Sequence, residues 1–149
     1  MLTLGIIELA MMYSSASLLE GATNSAARMI RTGQIQQSAS ADPEQLFRDE
    51  ICDYARVLIR CSDVEIEVLP MNSFSDVATM QPQYDEDGNF TSQGFDAGGS
   101  DDRILVRTSF RYSMMTPLVG TMLSGDDGAI AFMSTIVLQT EPYEFTGGA

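Results

Sequence analysis

The sequence predicts an α+β protein: one long hydrophobic N-terminal helix, a second helix, and a small antiparallel sheet of three or four strands. Three observations carry this expectation. Met1 to Tyr13 (MLTLGIIELAMMY) contains Glu8 as its one charge. Asp42-Pro43-Glu44 has the chemistry of a helix start. Three later segments alternate apolar and polar residues with the period of two expected of half-buried strands.

Composition narrows the function classes. The chain has 149 residues, 44% of them hydrophobic, enough for one domain with its own core. Its 21 acidic residues face eight arginines, with no lysine and no histidine, for a net charge of -13. Phosphate backbones would repel such a chain, so no nucleic-acid partner is expected. Without histidine it lacks the commonest general base and metal ligand, and no catalytic residue, cofactor or metal is expected. The acidic pairs Asp101-Asp102 and Asp126-Asp127 stand beside glycine or serine and read as turns.

Helical character starting at Met1 extends through Leu18-Leu19 to about Arg31. The first thirteen residues rise roughly 20 Å and the stretch to Leu19 roughly 28 Å, against a hydrocarbon core of about 30 Å. No basic segment precedes the apolar run and no small-residue cleavage site closes it. We therefore expect a retained membrane anchor that begins upstream of Met1. Arg28 and Arg31 follow the run, and an upstream basic segment would restore the positive-inside pattern for an external C-terminus.

Two stripes separate on the helical projection. Ala10, Ser14, Ser17, Gly21 and Ser25 form a ridge of small side chains for close helix packing, to which Gly5 and Glu8 are added as packing candidates. Met12, Leu19, Ala22, Ala26 and Ile30 form a second stripe suited to cover the globular part. A carboxylate at mid-membrane costs several kcal/mol unless paired, protonated or near the interface, so Glu8 needs a neutralising partner or a place near the headgroups.

Gly33 to Ala41 is a polar break. The second helix is expected from Pro43 to about Leu58, turning Leu46, Phe47, Ile51, Tyr54, Ala55 and Leu58 towards the sheet. Cys52 and Cys61 would be about 13 Å apart along an unbroken helix, so a disulfide requires the helix to end between them. We expect that bond; the alternative, a buried Cys52 and an incidental Cys61, belongs to a cytosolic location.

The strands follow. Val64, Ile66 and Val68 alternate with Glu65 and Glu67. Ile104, Val106, Phe110 and Tyr112 oppose Arg103, Arg107 and Arg111. Ile130, Phe132, Ile136 and Leu138 repeat the pattern in Ala129 to Thr140. The outer faces are expected to be wet, with Glu65 and Glu67 opposite some of the arginines in weak pairs, so that reversing the charge of Arg107 costs little. Pro70 to Asp102 reads as a solvated loop anchored by Phe74, Tyr84, Phe90 and Phe95. Aligning Gly88 to the sixth position of a calcium loop puts Gln83 first and Gly94 twelfth, where carboxylates are needed, and the EF-hand reading fails. Phe145 to Ala149 is expected to fray.

Gly5-Ile6-Ile7-Glu8-Leu9, followed by Ala26-Ala27-Arg28 and Arg31-Thr32-Gly33-Gln34, resembles the TadE-like proteins of tight-adherence pilus systems. Ile6, Ile7, Ala26, Ala27 and Arg28 carry the match over roughly the first 34 residues. The Cys52 to Cys61 pair before a strand and Tyr112 to Gly120 (YSMMTPLVG) after one look like features of longer members. The resemblance implies a pilin-like helix over 1-34 and an extracytoplasmic α+β domain over 35-149. It further implies a non-catalytic minor pilin anchored in a bacterial inner membrane, with its domain in the periplasm, acting in pilus assembly. Other pilins and a prepilin peptidase are the implied partners; the processing glycine and its glutamate-phenylalanine pair lie upstream of this motif in the family, with no equivalent before Met1. The rival expectation is a membrane-anchored binding or adhesive module that uses the Pro70 to Asp102 loop and does not enter a fibre.

Overall fold

The computed structural model describes residues 2-38 and 42-142; the Phe145 to Ala149 tail lies outside them, as do residues 39-41 of the polar break. Helix α1 spans Leu2–Arg31 and α2 spans Pro43–Ala55. Strands β1 (Val64–Met71), β4 (Arg103–Ser113) and β5 (Ala129–Gln139) form the main sheet, a small hairpin pairs β2 (Gln83–Tyr84) with β3 (Phe90–Thr91), and a short helix α3 (Pro117–Ser124) joins β4 to β5. The fold is α+β with a long apolar first helix, as the sequence predicts.

Each boundary has a local cause. α1 stops at Gly33, whose φ of +75° suits a residue without a side chain. There the N–H groups of Gly33 and Gln34 reach back to the carbonyls of Ile30 and Met29 at 3.1 and 3.0 Å, a Schellman cap. α2 starts where the Asp42 side chain accepts the Gln45 N–H, with Pro43 in the first turn. It ends at Ala55, short of the expected Leu58. That early end lets the chain turn back, and Cys52 and Cys61 lie at disulfide-bonding distance with Cα atoms 5.5 Å apart.

The sheet is antiparallel in the order β1-β4-β5, and its register puts one apolar face against α1. Leu19, Ala22, Ala26 and Ile30 of α1 share a core with Ile66, Val68, Ile104, Val106, Phe110 and Leu138 of the sheet and with Phe47, Ile51 and Ala55 of α2. The expected covering stripe on α1 is thus the one that is buried, with Met12 packed at its margin. Thr23 and Thr108 join hydroxyls inside this core, so neither buried oxygen is left unpaired. α2 has α1 as its main neighbour rather than the sheet, and Tyr54, expected on the sheet side, lies exposed with its ring over Gly21.

The outer face of the sheet differs from expectation. Glu67 and Arg107 are directly opposite in register, as proposed, but both are buried rather than wet. Arg107 donates to Glu67 at 2.7 Å and to the Met80 carbonyl, while Glu67 also accepts the Gln93 N–H at 2.9 Å. The cause is the 72-95 segment, which folds over this face instead of extending into solvent. Gly94 and Asp96 also bond the backbone of Val68, closing part of the free edge of β1. Phe90 is buried, Phe95 stacks edge-on against Phe47 with centroids 5.6 Å apart, and Phe74 meets the Arg103 guanidinium. Glu65 lies opposite Ser109 and has no arginine across from it.

Breaking a buried ion pair strands a charge in a low-dielectric site and costs about 3–5 kcal/mol. Arg107→Ala should therefore lower the urea-unfolding free energy by about that much, correcting the small effect expected of a wet pair; a loss under about 1 kcal/mol would mean that water reaches the pair. Replacing both cysteines by serine should cost roughly 2.7 kcal/mol on the chain-entropy argument, read in the same titration; an unchanged midpoint with or without reductant would show that the bond does not form.

Candidate functional site: the Glu8 clasp and the free end of the long helix

α1 changes role along its length. Leu19 onwards is core, whereas Leu2, Leu4, Ile6, Ile7, Leu9 and Tyr13 are exposed. By length and composition the helix is apolar enough to cross a membrane. Water is a poor solvent for so continuous an apolar surface, which marks this end as the place where something else covers the chain.

Glu8 stands in that stretch but does not share its exposure: it is 2% accessible. Its carboxylate accepts four hydrogen bonds, one from the end of β4 and three from the junction that follows it. Tyr112 Oη donates to Oε1 at 3.0 Å and the Met115 N–H at 3.1 Å, while the Thr116 N–H and Oγ1 donate to Oε2 at 3.1 and 3.0 Å. Burial, then the hydrogen bond to Glu8 and its charge, push the Tyr112 phenol above its ordinary range and keep it a neutral donor.

This arrangement is a helix cap supplied from a distance. Thr116 is the N-cap of α3 and Pro117 follows it, but the Thr116 side chain does not cap its own helix. A capping box would need Glu or Gln at the third helical position, where this chain has Val119. Glu8 of α1 takes the place of that missing acid, accepting the N-cap N–H and hydroxyl with a negative charge at the positive end of the helix. One turn back towards the start of α1, a β-carbon at Gly5 would lie 3.9 Å from Val119 Cγ2, so α3 touches the helix it is capped by.

The small-residue ridge divides. Gly21 and Ser25 are engaged within the chain: a β-carbon on Gly21 would meet the Tyr54 hydroxyl at 3.0 Å, and Ser25 donates to Glu50 at 2.7 Å. Ala10, Ser14 and Ser17 are exposed, with Ser14 bonded back to the Ala10 carbonyl. Ile6 and Ile7 are exposed, Ala26 and Ala27 are core, and Arg28 lies exposed in the last turn.

A second concave region lies on the far side of the sheet, an open groove of about 1010 Å³ between the β2–β3 hairpin and the outer face, reached by Arg60, Glu65, Asp85, Asp87 and Arg111. The acidic turn beside it is occupied with itself. Asp85 accepts the N–H groups of Asp87 and Asn89, and Gly88 holds φ of +79°. Among the described residues, no three Asp, Glu or Cys side chains converge as a metal site.

Sequence reasoning missed the partners of Glu8. Thr116-Pro117 is a readable cap-and-proline signal, but which acid serves it depends on a contact more than a hundred residues away in sequence.

Glu8→Ala should raise amide hydrogen exchange at Met115 and Thr116 by tenfold or more, about 1.4 kcal/mol in local opening, while the amides of β1 keep their protection. Unchanged exchange at both positions would show that the clasp contributes nothing to holding α3. Comparison with protein-family models, curated proteins and solved structures finds no match to this chain.

Proposed function

We propose that this is a non-catalytic, membrane-anchored protein of the minor-pilin kind, which acts in assembling a tight-adherence type of pilus by packing its α1 helix among those of other pilins. The observation that carries the reading is the uncovered first half of α1. It is apolar, and it keeps Ala10, Ser14 and Ser17 free for close approach after the head has taken Gly21 and Ser25 for α2. Interhelical packing between membrane helices favours small side chains, which let backbones come near.

Two further features support it. Cys52 and Cys61 at bonding distance suit an oxidising compartment such as the periplasm, outside the inner membrane. Among the described residues, Asp76, Asp85, Asp96 and Asp102 accept backbone N–H groups in turns and Glu67 pairs with Arg107, structural uses that accord with a packing role. The groove beside the β2–β3 hairpin favours one second reading, a membrane-anchored binding or adhesive module that stays outside the fibre.

Ala10→Leu combined with Ser14→Leu separates the two. Both positions are exposed, so the head should fold with an unchanged unfolding midpoint, while co-purification or cross-linking with pilin partners should fall at least tenfold. Normal assembly in the double variant would overturn the packing role and favour the module. Gly21 is unsuited to this test, because leucine there displaces Tyr54 within the chain.

A further inference from the structure

The segment joining β4 to β5 carries an apolar surface that neither the core nor the packing ridge uses. Ser113 to Gly125 contains no charged residue. Met115, Leu118, Met122 and Leu123 are all exposed, Met122 to 80%. Leu118 and Met122 are four residues apart and so lie on one face of α3. An eight-residue helix presenting this much apolar surface to water is costly unless something covers it.

Its position indicates what does. α3 is held against α1 by the Glu8 bonds at Thr116 and by Val119 at Gly5, which puts it beside the part of α1 where Leu2, Leu4, Ile6, Ile7 and Leu9 are exposed. Past Glu8 along α1, charge enters: Arg60, Asp63 and Arg111 line the same hollow as Met11 and Ser15, with Met115 at its rim. Tyr13, exposed at that level, is a side chain that favours the membrane–water boundary. The order along α1 is therefore apolar helix with α3 beside it, then an aromatic, then charge, which is the order met when passing from acyl chains through headgroups to water.

We propose that α3 is a second membrane-contacting element, lying at the headgroup–acyl boundary beside α1, and that an electrically neutral lipid bilayer covers its Leu118–Met122 face. This rests on the reading of α1 as a membrane anchor and extends it: the head docks on the bilayer surface instead of standing off on a free helix. The lipid is neutral because α3 lacks the basic residues with which interfacial helices attract anionic headgroups, and the chain as a whole carries a charge of -13. The Glu8 cap fits this placement, since N–H groups at the start of a helix near the acyl region need a partner other than water.

The chain has no tryptophan, so a single introduced indole reports one position. The full-length protein carrying Ile7→Trp, Leu118→Trp, Met122→Trp or, on the outer hairpin, Tyr84→Trp would be reconstituted in phosphatidylcholine vesicles with brominated acyl chains. Quenching of more than half the emission is expected for the indoles at 7, 118 and 122, and none at 84; substituting phosphatidylglycerol for part of the lipid should reduce the quenching at 118 and 122. Quenching at 7 without quenching at 118 and 122 overturns the proposal and leaves the anchor reading standing. In that outcome, aqueous iodide tells whether α3 is in water or is covered by a second copy or another protein. Absence of quenching at position 7 overturns the anchor reading and this proposal together.

Discussion

An ionised carboxylate in an apolar helix has to be solvated by something, and in this protein the solvent is another part of the same chain. Glu8 receives donors from Tyr112, Met115 and Thr116. Those donors exist in the right place because β4 pairs antiparallel with β5 over its full length, outruns its pairing with β1 at Phe110, and delivers its last residues to the first half of α1. The start of α3, the path of the β4–β5 connection and the uncovered surface beside it all follow from this contact. Without it the connection would meet the helix mainly through Val119 at Gly5, and Glu8 would be an uncompensated charge on an apolar helix.

The same helix supplies one wall of the core. Its second half meets the sheet through alanines at 22 and 26, small enough for the backbone of α1 to come close, with Leu19 and Ile30 filling the ends. α2 then closes the remaining side through Gly21 and Ser25. The other face of the sheet is covered in part, where the Glu67–Arg107 pair accepts from and donates to the segment that lies over it. A buried pair of this kind adds little net stability over an apolar pair, but it discriminates strongly against any arrangement that leaves one partner alone, and so ties the long connection to one position.

Much of the architecture was legible because it depends on local chemistry. Asp42-Pro43, Gly33, the alternation in Ile104 to Tyr112 and the four-residue recurrence of Leu19, Ala22, Ala26 and Ile30 each act through neighbours in sequence. The errors occurred where a distant segment decides the environment. Arg107 alternates as an outer-face residue should, and does lie on the outer face; that this face is covered depends on where residues 72-95 come to rest, which periodicity does not encode. The sequence shows that Glu8 needs a partner, but Tyr112 alternates as a core residue and Thr116 belongs to the segment after a strand, and nothing in their local sequence points to α1. Gly21 and Ser25 share a stripe of the helix with Ala10, Ser14 and Ser17, yet a stripe does not specify which helix will lie on it, and here α2 takes these two.

Because α1 is continuous from Leu2 to Arg31, the exposed end and the core wall are a single rigid lever. A pull on the exposed end along the helix axis would load the head in shear, where many interlocked side chains resist at once, rather than peeling contacts off one after another. The Schellman turn at Gly33 and the Glu141 backbone bond to the Arg31 carbonyl lie at the far end of that lever. They would share the load with the rest of the row, so such a head would hold its shape until those contacts gave way together.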